Sequence, residues 1–221
     1  PFMLAHDDNV YCCTDVLRLL PSKRLVVDAY SMADQQRSVI KLFAPDQKGK
    51  RELERELNGH ALAKEAGINV AEVIFSSQNV ATCFAIAYQF IKNSQEITLE
   101  NVGKSDDNVI KVIELLAKMH EYGIYQKDIH LDNILLKNND LYLIDLGSVE
   151  CEQEGKPLSK AKSLNNLSRL VAQFFPLEQD FIIQTLNVYY QKRSWNWDDS
   201  ERVHFEGKLK TAWHKRKRDY I

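Results

Sequence analysis

The sequence predicts an α+β fold in two parts. Short β-rich runs divided by turn residues fill about the first ninety residues, around one charged helix. Apolar positions then recur at helical spacing over most of the remainder. The change of pattern falls at residues 89–94. The length of 221 residues allows one ordinary domain or two small lobes sharing an interface. A hydrophobic fraction of 44% with 27% charged residues excludes disorder as the main state. With 29 Lys+Arg against 31 Asp+Glu, the net charge of -2 excludes bulk attraction to nucleic acid. No apolar run reaches the roughly 18 residues a spanning helix needs.

The first part reads as an antiparallel meander. Residues 15–20, 24–30 and 38–43 are β-rich runs, the first closed by Pro21-Ser22-Lys23. A helix follows over about residues 50–65, with Leu53, Leu57 and Ala61 as its apolar stripe and Gly67 as its stop. Residues 70–75 and 82–90 complete five strands. In the second part, residues 106–122 form a helix with Val109, Ile113, Leu116, Ala117 and His120 on one face. Residues 134–136 and 141–144 are short strands around the turn composition Lys137-Asn138-Asn139-Asp140. From Lys156 onward the chain reads helical, with a stripe at Leu164, Leu167, Leu170 and Val171, a helix over 177–191, and a basic helix at the end.

Four cysteines, Cys12, Cys13, Cys83 and Cys151, show no CxxC spacing, so neither a zinc site nor a disulfide framework is expected. No signal peptide is read, and a reducing cytoplasm fits best.

The chemistry concentrates in YQKDIHLDN and LIDLGS. Asp128 and Asn133 stand five residues apart between a helix and a short strand, and Asp145 follows another short strand. Asn133 and Asp145 can hold Mg²⁺ against phosphate oxygens, while Asp128 accepts a proton from an attacking hydroxyl. Lys41 is the one charge inside the apolar run VIKLF and needs an anion beside it. The helix offers Glu56, with Glu52 one turn away as its rival. A Lys41–Glu56 pair would orient the ammonium toward nucleotide phosphates.

In this order, VIK at residues 39–41, a helical glutamate, D-x-x-x-x-N from Asp128 to Asn133 and DLG from Asp145 to Gly147 resemble the protein-kinase-like superfamily. The resemblance covers roughly residues 15–150. It implies a bilobal protein-kinase-like fold: a five-stranded antiparallel N-lobe with one helix over residues 1–91, and a small, mainly helical C-lobe over 92–221. ATP and Mg²⁺ would sit between the lobes. Lys41, Glu56, Ser22, Lys23, Gln89 and Ile91 would contact the nucleotide, Asn133 and Asp145 the metal, and Asp128 the acceptor.

Several departures bear on the branch. Gln126-Lys127-Asp128 stands where a protein kinase has HRD, no APE follows Gly147, and only 74 residues come after that glycine. LRLLPSKRLVVDAY, RELERELNGHALAKEAGI and LYLIDLGS resemble more closely the bacterial lipopolysaccharide kinase family, the Kdo and heptose kinases of the inner core. That resemblance implies phosphorylation of a core sugar hydroxyl at the inner face of the cytoplasmic membrane. A kinase of another small molecule, a small protein kinase, and a pseudokinase scaffold stay open as alternatives.

Glycine is scarce, and none precedes Gly49. Leu20-Pro21-Ser22-Lys23 therefore occupies the place of a glycine-rich loop, and Ser22 and Lys23 are expected to supply side-chain contacts to phosphate. Asp132 is an additional carboxylate that either tunes the metal or faces solvent. His130 reads as structural, bonding the loop backbone. Trp195 and Trp197 read as packing aromatics. The basic end, residues 208–218 with Trp213, reads either as a solvated helix tail or as a contact with anionic lipid or phosphosugar.

Overall fold

Polar turns cut the first part of the chain into strands that the β-branched and aromatic residues between them favour. The computed structural model describes residues 1–98 and 107–219, with side chains through Arg216. Asp106 of the expected helix and the side chains of Lys217 and Arg218 lie outside the described residues. The fold is α+β. Strands β1 (Phe2–His6), β2 (Asn9–Leu20), β3 (Arg24–Ser31), β4 (Arg37–Phe43), β5 (Val73–Val80) and β6 (Cys83–Gln89) form one antiparallel sheet in the order β1-β2-β3-β4-β6-β5.

The sheet has six strands, where the sequence pattern predicts five. The additional strand is β1, which pairs with the first part of β2 across the turn at Asp7-Asp8. Its short run carries one buried apolar side chain, Leu4, so periodicity is faint. The sheet curls until its first and last strands meet: His6 of β1 stacks on Phe75 of β5 at 4.0 Å, and Tyr11 of β2 packs on the same ring. The interior of the curl holds Leu4, Val27, Ala29, Ile40, Ala85 and Ala87.

Helix α1 (Gln47–Glu65) starts where Asp46 accepts the Gly49 N–H at 2.7 Å, an N-cap that satisfies an otherwise orphan donor. Its buried face is Leu53, Glu56, Gly59, His60 and Ala63. This corrects the expected stripe: Ala61 is exposed and Leu57 only partly buried. A buried glutamate takes the place of an apolar residue on the inward face, which an apolar-only count cannot see.

The second part opens with β7 (Gln95–Glu96) and α2 (Asp107–Glu121), and continues through β8 (Ile124–Gln126), β9 (Ile134–Lys137), β10 (Asp140–Leu143) and β11 (Val149–Cys151). The β9–β10 turn shortens to Asn138-Asn139, both at positive φ as a two-residue hairpin requires. β7 extends that hairpin, and β11 pairs with β8. Helices α3 (Lys160–Val171), α4 (Gln179–Lys192) and α5 (Asp199–Asp219) complete the chain. Residues 156–159 precede α3 as coil rather than helix.

A single large apolar cluster unites α2 to α5 with the short strands, and Ala63, Ala66 and Ile68 join it from the end of α1. Trp195 and Trp197 pack against that cluster, as packing aromatics. Among the described residues no helix is long and apolar enough to cross a membrane. All four cysteines are free.

Candidate functional site

Alternation along β3 and β4 puts Arg24, Val26, Val39 and Lys41 on one sheet face. That face and α1 look onto the β9–β10 hairpin across a cavity of about 630 Å³. Val26, Val39, Ala71, Leu135, Leu143 and Ile144 give the cavity apolar walls, and Gln89 and Ile91 border it where the sheet ends. Lys41, Glu56, Asp132, Asn133 and Asp145 give it a polar end.

Lys41 Nζ lies 2.5 Å from Glu56 Oε1 and 3.1 Å from Asp145 Oδ1. Lys41 is 8% exposed and Glu56 1%. A buried charge is tolerable only when paired and hydrogen-bonded, and Glu56 is well supplied. It also accepts the Tyr88 hydroxyl at 3.2 Å and the backbone N–H groups of Leu146 and Gly147 at 3.3 and 3.0 Å. The glutamate that meets Lys41 is thus Glu56, while Glu52 stands a turn away at intermediate exposure. Burial and the neighbouring Glu56 carboxylate push the Tyr88 hydroxyl upward.

Asp145 takes a left-handed backbone (φ 55°), which aspartate tolerates better than most residues. Burial alone would raise its pKa. Lys41 and then Arg24, with a smaller part from Arg18, outweigh that and hold the carboxyl below its ordinary value. Close packing of α1 against this loop depends on Gly59, where a Cβ would stand 2.0 Å from the Leu146 carbonyl oxygen.

Asp128 and Asn133 belong to one loop but look into different spaces. The Asn133 side-chain amide donates to the Asp128 carbonyl at 3.1 Å, and the Asn133 carbonyl accepts the Ile144 N–H at 2.9 Å. This ties the loop to the strand before Asp145. Asn133 lines the cavity, whereas the Asp128 carboxylate, 74% exposed, lines a separate groove of about 1080 Å³. The far wall of that groove is α5, contributing His204, Lys208, Lys215 and Arg216, and Arg169 of α3 joins them.

His130 stands between Asp128 (3.6 Å) and Arg216 (3.3 Å), so its partners are side chains and not the loop backbone expected for it. Phe205 and Leu209 anchor α5 in the core, and Trp213 stacks on Phe175 at 4.6 Å.

The loop is held from below by buried polar groups that no motif announces. Gln126 donates to the carbonyls of Ile144 and Asp145 at 3.4 and 3.2 Å, and Asn166 donates to the Gln126 carbonyl at 2.9 Å. Asn166 Oδ1 meets His120 Nε2 at 3.0 Å, and His120 Nδ1 meets the Tyr189 hydroxyl at 2.5 Å. Arg193 donates to Tyr189 at 3.0 Å and pairs with Glu121. Lys127 pairs with Glu150 at the surface.

The two residues expected to contact phosphate lie at a turn outside the cavity lining. Ser22 and Lys23 are exposed at the β2–β3 turn and do not line the cavity. The turn closes on itself, with Lys23 N–H donating to Leu20 O and Ser22 at φ 59°. Beside Lys41, the cations that line the cavity among the described residues are Arg24, whose Nη1 lies 3.5 Å from Asp145 Oδ1, and Arg18. Strand alternation from Lys41 could have found Arg24, but Arg18 depends on a bulge. No protein-family model matches the chain, and no curated protein matches it.

Proposed function

We propose that this chain is an ATP-dependent phosphotransferase with a bilobal protein-kinase-like fold, acting on a sugar hydroxyl of the lipopolysaccharide-core class, Kdo or heptose. The observation that carries the reading is the buried Lys41–Glu56 pair set against Asp145, in one cavity with Asn133. The apolar walls suit an adenine ring, and Gln89 and Ile91 border that end.

Asn133 and Asp145 offer one amide oxygen and one carboxylate, the sparse hard-oxygen set that Mg²⁺ accepts when phosphates and water complete it. Asp145 Oδ2 has no protein partner among the described residues, which leaves an oxygen for that purpose. Bound there, Mg²⁺ would screen the phosphate charge. Lys41, fixed by Glu56, orients the non-transferred phosphates.

Asp128 faces the groove and orients the acceptor. The acceptor oxygen attacks the terminal phosphorus and forms the new P–O bond. The bond from that phosphorus to the bridging oxygen breaks, ADP leaves, and the hydroxyl proton passes to Asp128. Positioning and charge stabilisation carry most of the rate. The cationic wall of Arg169, Lys208, Lys215 and Arg216 favours an acceptor that bears negative charge, on a lipid-linked or free sugar.

The closing of Asp145 by two cations favours a second reading, a nucleotide-responsive scaffold without transfer. The test is incubation with Mg²⁺ and radiolabelled ATP against Kdo, heptose, core oligosaccharide, an amino sugar and a generic protein substrate. Label on Kdo, heptose or core oligosaccharide supports the reading. Label only on the amino sugar or the protein moves the acceptor class. ATP binding with no transfer to any of them supports the scaffold.

A further inference from the structure

Among the described residues no glycine-rich loop lines the cavity, and the turn expected in that place is bonded to itself, with Pro21, Ser22 and Lys23 exposed. Backbone amides are thus poorly available at the point where a phosphate chain would otherwise be cradled. The sheet offers side chains instead. Arg24 projects from the start of β3 on the same face as Val26, and its side chain is only 15% exposed.

Its bonding is incomplete. Among the described residues, Nη1 makes one long contact, 3.5 Å to Asp145 Oδ1, and Nε is buried with no hydrogen-bond partner. A buried guanidinium left half-satisfied is costly, because an arginine carries five donors in a planar fork. That fork matches two oxygens of one phosphate.

Beside it stands Arg18, and a local irregularity aims it. The pairing of β2 with β3 passes from Val16–Val27 to Arg18–Val26, so Leu17 is an inserted residue. A bulge of one residue changes which side chains share a face. Here it sets Arg18 opposite Val26, on the cavity side. The two arginines and Lys41 then border the polar end of the same cavity from three adjacent strands.

We propose that Arg24, assisted by Arg18, is a side-chain phosphate clamp that grips the outer phosphates of the nucleotide in place of an amide-lined loop. The proposal rests on the phosphotransferase reading for the identity of the nucleotide. The clamp itself predicts only affinity for a polyphosphate chain. When a nucleotide arrives, Arg24 exchanges its long contact with Asp145 for phosphate oxygens and frees that carboxylate.

The test is calorimetric titration of adenosine, AMP, ADP, ATP and inorganic tripolyphosphate into the wild-type chain and into Arg24→Met, Arg24→Lys and Arg18→Ala. Thermal unfolding of each variant checks its fold. In the wild type, affinity should rise from adenosine to ATP. Arg24→Met should weaken ATP and tripolyphosphate by about tenfold to a hundredfold, the worth of hydrogen bonds to a charged group, and leave adenosine unchanged. Arg24→Lys should fall between the two, and Arg18→Ala should cost less than Arg24→Met.

ATP affinity unchanged in Arg24→Met overturns the clamp, and so does an equal loss for adenosine and ATP. If Arg24→Met does not fold, Arg24→Lys decides: tripolyphosphate affinity equal to wild type overturns the proposal. Wild-type binding of tripolyphosphate, lost in Arg24→Met, without any adenosine binding would keep the clamp and sink the ATP reading. A wild type that binds none of the five ligands overturns both.

Discussion

The Glu56 carboxylate accepts the backbone N–H of Gly147 at 3.0 Å, across 91 residues of chain. The same side chain holds Lys41, so one buried carboxylate joins the sheet, helix α1 and the loop that carries Asp145. A Cβ at Gly147 would stand 2.9 Å from Glu56 Oε2, which gives that glycine a reason in packing.

Glu56→Gln should therefore destabilise the fold by about 3 kcal/mol. Breaking one partner of a buried ion pair costs roughly 3–5 kcal/mol, and Asp145 still neutralises part of the Lys41 charge, which sets the lower end. Urea unfolding measures it, and a loss under about 1 kcal/mol would contradict the central place given to this carboxylate.

Gly59→Ala should lower stability although alanine is the better helix former. The helix gain is about 1 kcal/mol, while a Cβ 2.0 Å from the Leu146 carbonyl oxygen forces α1 away from the loop. Overpacking of that kind costs about 1–3 kcal/mol or more. A higher Tm in the variant would show that α1 does not pack this closely.

Asp128→Ala should lower kcat by about 10²–10⁴, the worth of a positioned general base. ATP affinity should stay the same, because Asp128 lines the groove and not the cavity proposed for the nucleotide. Single-turnover transfer together with nucleotide titration separates the two effects. Full transfer in the variant would remove Asp128 from its role.

Asp145→Asn should abolish Mg²⁺-dependent turnover while the protein stays folded. The carboxylate faces two cations that would otherwise repel each other, so a modest drop in Tm is expected beside the loss of activity. Circular dichroism and a Mg²⁺ titration of turnover check it, and an unchanged Mg²⁺ dependence would count against the metal role.

His120 should resist protonation. Burial, opposed by its bond to Asn166 and aided by the charge of Arg193, pushes it down to about 3. The unfolded chain would bind a proton at about 6.5, so this residue's contribution is full above that pH and is lost as pH falls toward 3. The His120 ring resonance should hold its neutral position through pH 5 while exposed imidazoles titrate. A midpoint near 6 would break the buried network that joins His120 to Asn166 and Tyr189.

Much of the candidate site was legible in the chain. Lys41 stood out because a charge inside an apolar strand needs a partner. Asp128, Asn133 and Asp145 stood out because oxygen ligands cluster on loops beside short strands. Arg24 did not stand out, because strand alternation marks it only once the β3–β4 register to Lys41 is known, and the residue it meets lies 121 positions away. Gln126, Asn166 and His120 were hidden for a related reason: each lies on a different element, and only packing brings their polar atoms together.

The sequence by itself determined the α+β division, the helical part of the chain, and the order of the residues that carry charge. Periodicity and composition are local, and they report the inward face of an element only where that face is apolar, which on α1 it is not throughout. Tertiary structure alone decided that Glu56 is the glutamate meeting Lys41, that β1 curls round to β5, and that Arg18 and Arg24 border the cavity where Ser22 and Lys23 do not. Register, bulges and close approach at Gly59 settle those outcomes. They arise from the fit between distant surfaces, which no local window contains.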